Sequence, residues 1–170
     1  MLSPYLQRNV YNVHIKENAF MAIASTHKIT PFLWFNGNAE EAVDFYISVF
    51  PDAEKTGGLP GPGGKPLTIS FRLEDLHFTA MNSETEFRFT KAISFLVTCK
   101  DQEEIDYYWN KLAANGGQEI ACGWLEDKFG LAWQICPENI FDLVKAPKGF
   151  QAMMQMKKII IADLEAAAKE

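Results

Sequence analysis

The sequence repeats itself once, at a shift of 63 residues, and that repeat limits the fold more than any other feature. The shift carries Asn38 to Asp101, Glu41 to Glu104, Ala42 to Ile105, Phe45 to Tyr108, Tyr46 to Trp109 and Val49 to Leu112. It also lays Phe32-Leu33 on Phe95-Leu96. Each copy starts with an apolar run that reads as a buried strand. An Asn or Asp follows, with Glu three residues on, which is the pattern of a helix capping box. Apolar residues then recur at helical spacing. Pro51 stops the first helix, and Asn115-Gly116-Gly117 closes the second. A strand–helix–strands unit cannot cover its own sheet, so two copies must pack together. The expected fold is α+β, with two βαβββ modules, paired curved mixed sheets around a central cavity, and a C-terminal helix.

The rest of the chain fills in these modules. Leu67, Ile69, Phe71 and Leu73 alternate with Thr68, Ser70 and Arg72, a half-buried strand. Glu74-Asp75 turns it back, and Leu76 to Asn82 returns as its partner. Residues 57–66, rich in Gly and Pro, read as a loop. Ala92 to Cys99, Gln118 to Glu126 and Leu131 to Cys136 read as strands, with Asp127 to Gly130 turning between the last two. Ala152 to Ala168 reads as one helix with Met153, Met156, Ile160 and Leu164 on one face. The modules are thus residues 29–83 and 92–137, with a helical tail over 138–170. Residues 1–28 form an extension. Asn9 to Ile15 alternates like an extra strand, and Met21-Ala-Ile-Ala-Ser reads as an alternative native start. No basic stretch, apolar core and small-residue cleavage site follow one another there, so it does not read as a secretory signal. His14 and His27, in or beside that segment, are left out of the functional argument.

Charge and cysteine usage exclude several classes. Lys plus Arg is 16 against 22 Asp plus Glu, a net charge of −6. That is no basic face for nucleic acid and no polybasic patch for anionic lipid. No run of 18 apolar residues is present to cross a membrane. Three cysteines, Cys99, Cys122 and Cys136, without a C-x-x-C pair give neither a disulfide framework nor a Cys-rich zinc site. They read as free thiols of a cytoplasmic protein. Cys122, in a turn flanked by Gly and Trp, is the thiol open to reaction.

Three stretches carry a family resemblance. They are Ile29-Thr30-Pro31-Phe32-Leu33-Trp34-Phe35 with Ala39-Glu40-Glu41-Ala42 and Phe45-Tyr46, then Phe87-Arg88-Phe89-Thr90 before Ala92-Ile93-Ser94-Phe95, and then the unbroken run from Cys122 to Ile135. With these the chain resembles the PhnB-like family of the vicinal oxygen chelate superfamily, which holds glyoxalase, bleomycin resistance and dioxygenase proteins. The match covers about residues 28–157. The resemblance implies the glyoxalase/bleomycin resistance/dioxygenase-like fold and a homodimer. Members often bear the name 3-demethylubiquinone-9 3-methyltransferase. The residues do not support that chemistry, because the Gly-rich stretch 57–66 precedes a strand rather than a helix. It also fails the P-loop pattern, with Gly64 where Lys should stand.

Enzymes of that superfamily hold a divalent metal with His, Glu or Gln from the first and last strand of each module. Here those positions fall near Pro31 and Ser94, on Ala80-Met81-Asn82, and on Gln134. One amide does not hold a metal, so no metal site and no cofactor are expected. Strand alternation places Leu33, Phe35, Leu96, Ala132 and Gln134 toward the cavity, joined by Ser70 and Arg72. Trp34, Trp109 and Trp133 belong between sheet and helix, and Trp124 forms a pocket wall. The same residues could instead simply fill a core. His77, near the start of a strand, is a hydrogen-bonded structural group, an acid–base group or a ligand. His77 and Cys122 are the catalytic candidates. The expected function is binding of a small, partly apolar molecule without a standard metal site. The alternative is a metal-dependent lyase, isomerase or dioxygenase with atypical ligands such as Gln134 and His77.

Overall fold

The computed structural model describes residues 27–170. The expectations placed on Asn9–Ile15, His14 and Met21 lie outside the described residues. The chain is mixed α+β and divides into two compact units. Of the described residues, one unit comprises His27–Ile47 with Asp52–Glu84, and the other comprises Ser48–Pro51 with Thr85–Glu170.

The first unit holds strand β1 (Phe32–Phe35), helix α1 (Ala39–Val49, whose last residues group with the other unit) and strands β2 (Ala53–Pro60), β3 (Pro66–Leu73) and β4 (Leu76–Asn82). Its sheet runs in the order β1-β4-β3-β2. β1 lies parallel to β4, and the other pairs are antiparallel. One face carries Leu33, Phe35, Ile69, Phe71, Phe78 and Ala80, all buried. Tyr46 of α1 stacks on Phe71, which stacks on Phe78, so this face packs under the helix. The β3–β4 turn is two residues, Glu74 and Asp75, with Glu74 at φ 48°.

The second unit repeats this topology. It holds β5 (Ser94–Cys99), α2 (Gln102–Leu112), β6 (Gln118–Glu119), β7 (Trp124–Glu126) and β8 (Ala132–Pro137), in sheet order β5-β8-β7-β6. β5 and β8 are parallel and the rest antiparallel. Ile105, Tyr108, Trp109 and Leu112, the stripe expected from spacing, are the buried residues of α2. The expected capping box forms: Asp101 Oδ1 accepts from the Glu104 N–H at 2.9 Å. Glu104 reaches back to the Lys100 N–H at 2.8 Å, one residue earlier than the standard pattern.

Three expectations are corrected here. Gln118 to Glu126 is not one strand but β6 and β7, with a turn closed by the Trp124 N–H on Ala121 O between them. Residues 57–60 belong to strand β2, with a 3₁₀ turn over Pro62–Gly64 after it. β2 is an edge strand, where Gly and Pro are tolerated because one side needs no partner, and its register slips twice. The tail is not one helix. After α3 (Ile140–Leu143) come α4 (Pro147–Gln155) and α5 (Ile161–Ala168). Between α4 and α5 the chain runs as a strap. Its Met156 and Lys157 carbonyls accept from the Cys122 and Gly123 N–H groups at 2.7 and 2.8 Å. The Gln102 amide donates to Ile159 O at 3.1 Å and accepts from the Ile161 N–H at 2.8 Å. These long-range bonds replace the helical ones that local propensity favours.

Candidate functional site

Each sheet has a second face, opposite its helix. In the second sheet, register places Leu96, Gln134 and Trp124 in one row across three strands. Side chains directly opposite share a face, so these three lie on one face of the sheet. Leu96 is 44% exposed. Gln134 Nε2 donates to Ser94 Oγ at 2.7 Å, leaving the amide oxygen for another donor. Lys91 pairs with Glu126 at 3.2 Å at the edge of the same face. Ala132 shares that parity but is fully buried.

In the first sheet the corresponding face carries Phe32, Thr79 and Ser70 in one row and Trp34, Met81 and Thr68 in the next. Phe32 is 49% and Trp34 40% exposed. This corrects the expectation for β1: Leu33 and Phe35 lie on the helix side, and Trp34 takes the face they were assigned. The cause is one residue. Three residues separate β1 from α1, but two separate β5 from α2. The shift that superposes the helices therefore misplaces the strands by one, and a one-residue slip exchanges the faces. Leu96 corresponds to Phe32, not to Leu33.

Ser70 and Arg72 are on this face, apart from the Leu33 and Phe35 they were expected to join, and the Arg72 guanidinium is engaged. It donates to Asp52 Oδ1 at 2.8 Å, Glu54 Oε1 at 3.1 Å and Glu74 O at 2.6 Å. These carboxylates hold Arg72 in its charged form, and Arg72 in turn holds the Asp52 carboxyl below its ordinary value. Arg72 thus clamps the β2–β3–β4 end of the sheet. His77 pairs across from Arg72 and stacks on His27, ring centroids 4.1 Å apart. Leaving His27 out of the argument missed that pair.

The run from Cys122 to Ile135 turns out to be mainly a folding device. Asp127 is 3% exposed. Its Oδ1 accepts from the Phe129 and Leu131 N–H groups at 2.8 and 3.1 Å, and its Oδ2 from Trp133 Nε1 at 2.8 Å. Trp133 and Trp109 are buried, as their packing role requires. Burial pushes the Cys99 thiol up to about 12 and the Cys136 thiol up to about 11, so neither supplies a thiolate near neutral pH. Cys122 is half-buried.

The residues at the metal positions of the superfamily do not fit a divalent cation. Ser94 and Gln134 bond to each other. Asn82 accepts from the Ala39 N–H at 2.8 Å and donates to Pro66 O at 2.9 Å, so it caps α1 and pins β3. Among the described residues, no three His, Cys, Asp or Glu side chains converge as a metal-holding group.

Sequence reasoning also missed a groove of about 550 Å³ beside β2, lined among others by Glu40, Lys55, Leu59, Lys65 and Thr68. Its signal was the Gly- and Pro-rich stretch read only as a loop. None of the expected site residues lines it.

The family model described as 3-demethylubiquinone-9 3-methyltransferase matches residues 27–136. A PhnB protein from Bacillus cereus, given the same methyltransferase description, is 35% identical, with a TM-score of 0.59 over 64% of this chain and 98% of that one. Protein PA1353 from Pseudomonas aeruginosa has the same fold at 23% identity, with a TM-score of 0.55 over 65% of this chain and 98% of its own. A glyoxalase/bleomycin resistance protein from Albidiferax ferrireducens T118 aligns at 14% identity and a TM-score of 0.43, over 65% of this chain and 97% of that one. No curated protein matches the chain. With the family model covering well over half its length, the chain belongs to the 3-demethylubiquinone-9 3-methyltransferase-like, or PhnB, family.

Proposed function

We propose that this protein binds a small, partly apolar molecule on the open face of its second sheet, without a standard metal site. The carrying observation is the row Leu96–Gln134–Trp124 with the Gln134–Ser94 hydrogen bond beside it. An apolar floor with a few fixed polar groups is what small-molecule sites present. Leu96 supplies apolar surface and Trp124 a ring to cover it. Gln134 supplies an acceptor whose orientation Ser94 fixes. Burial of one such ligand face of roughly 100 Å² is worth about 2.5 kcal/mol before the cost of immobilising the ligand.

Methyl transfer, the chemistry in the family description, has no support from the Gly-rich segment. That segment joins β2 to β3, not a strand to a helix. A homodimer in the cytoplasm completes the reading. The exposed Phe87 and Ile93 are surface of the kind that a second copy covers, and three free cysteines suit a reducing compartment. Among the described residues no helix is long and apolar enough to cross a membrane.

The test is a melting-shift screen of a metabolite collection against the intact protein, repeated with Gln134→Ala and Trp124→Ala. A hit that stabilises the parent by several degrees, and loses at least tenfold in affinity in either variant, supports the site. A hit that binds all three proteins equally well places the ligand elsewhere. S-adenosylmethionine belongs in the screen, and binding by it would restore the methyltransferase reading.

A further inference from the structure

Two sulfur atoms in the second unit are used by nothing above. Cys122 Sγ lies 3.6 Å from Met154 Sδ. They come from different elements, the turn between β6 and β7 and the last turn of α4. The turn is tight: the Trp124 N–H donates to Ala121 O at 2.9 Å, and Cys122 and Gly123 have φ of 56° and 82°. Holding a cysteine in the left-handed region is strained, because its Cβ crowds the following carbonyl. The Cys122 and Gly123 N–H groups then bond Met156 O and Lys157 O, just beyond Met154. The chain segments bearing both sulfurs are therefore fixed against each other by backbone bonds.

We propose that Cys122 and Met154 form a site for a soft monovalent cation, Cu(I). A thiolate and a thioether are soft donors and select Cu(I) over hard cations. Two sulfurs on opposite sides of one metal, at about the 2.3 Å of a zinc–thiolate bond, stand roughly 4.6 Å apart. The 3.6 Å contact is the hydrogen bond that the Cys122 thiol donates to Met154 Sδ, so the ion replaces that bond as the exposed Met154 side chain moves outward by about 1 Å. Met154 is 50% exposed, so the cation arrives from solvent. Binding exchanges the Cys122 thiol proton for the metal: the S–H bond breaks, an S–Cu bond forms, and the proton leaves to the buffer. Copper stays Cu(I) throughout, and affinity falls as pH falls because the proton competes.

The experiment titrates the intact protein with Cu(I) under anaerobic conditions against a chromophoric Cu(I) chelator. One ion per chain is expected. Cys122→Ser weakens it about 100-fold or more, and Met154→Leu about tenfold. Met153→Leu, the same change one residue earlier, leaves it unchanged. Leucine conserves the volume of a half-exposed methionine, so Met154→Leu carries the test even where Cys122→Ser loses its near-ultraviolet circular dichroism. Copper-edge X-ray absorption is expected to show a sulfur shell. Wild-type affinity in Cys122→Ser or in Met154→Leu, or a nitrogen and oxygen shell at the copper edge, overturns the proposal.

Discussion

In the first module three residues separate helix α1 from its strand, and in the second two residues separate helix α2 from its strand. The caps differ to match. Asp101 caps α2 from the adjacent residue, whereas the first N–H of α1 is taken by Asn82, 43 residues away at the end of β4. The hairpins differ as well. The first module spends eight residues on β2 and eight on β3, where the second has two and three. A short hairpin offers few ladder bonds. The second module replaces them with the Asp127 hub and the strap, both built from side chains and turns. One topology is thus held by a long sheet in one copy and by polar connections in the other.

The largest effects should come from making the modules alike. Deletion of Gly37 gives the first module the shorter connection of the second. It pulls β1 by one residue and takes Leu33 and Phe35 off the helix side, at about 1.5–3 kcal/mol for each side chain. Loss of a cooperative urea transition is expected. A variant within 1 kcal/mol of the parent would sink the one-residue account. Next is Asp127→Ala, which strands two backbone N–H groups and the Trp133 indole in a buried site, for about 3 kcal/mol or more. The corresponding change in the first module, Asp75→Ala in its exposed two-residue turn, should stay within about 0.5 kcal/mol. Similar losses from both would mean that Asp127 is not a hub.

The caps give a smaller contrast. Asn82→Ala removes the bond to Ala39 and the bond to Pro66 together, and should cost about 2 kcal/mol. Asp101→Ala removes one bond to Glu104 and should cost about 1 kcal/mol. Urea midpoints at constant slope measure both, and an Asp101→Ala loss larger than that of Asn82→Ala reverses the comparison.

What could be read from the sequence follows the same division. The helical stripes were legible because 3.6-residue spacing is a local pattern, and all of Ile105, Tyr108, Trp109 and Leu112 fall where it puts them. The face of Ser70 and Arg72 was legible because Thr68 to Leu73 alternates. Leu33 and Phe35 were assigned the wrong face because Phe32 to Phe35 is apolar throughout. An unbroken run has no phase, and the phase borrowed from the second module was off by one residue. Strand β2 was hidden because Gly and Pro at a sheet edge look like a loop. The strap was hidden because its partners, Gln102 and the 122–123 turn, are distant in sequence. Asp127 was legible as a turn residue, but its bond to Trp133 depends on how the β7–β8 turn folds back. In the candidate site, strand register puts Leu96, Gln134 and Trp124 on one face, but takes Leu33 and Phe35 off the face of Ser70 and Arg72. The engagement of Arg72 by two acids could not be seen, because Asp52 and Glu54 lie across a strand pairing that the sequence did not reveal.

The smallest effect is expected from acid titration, where the modules should behave alike. Arg72 holds the Asp52 carboxyl below its ordinary value, chiefly through its hydrogen bond. In the second module Lys158, and then Gln102, do the same for Asp106. A carboxyl depressed in the folded state stabilises it above the unfolded value, near 3.9, and that contribution is lost as pH falls through the folded value. Both pairs are exposed and screened by solvent, so the shift in melting temperature should be only about one or two degrees. Asp52→Asn and Asp106→Asn should therefore melt slightly below the parent at pH 7, and the gap should close as pH drops below about 4. Added salt should narrow the gap at pH 7, because it screens exposed charges. A gap that persists unchanged at pH 2 would show that these carboxylates act through shape and neutral hydrogen bonds, not through charge. In that case the clamp around Arg72 would be polar packing, and the first module would resemble the second more closely than its ion pairs suggest.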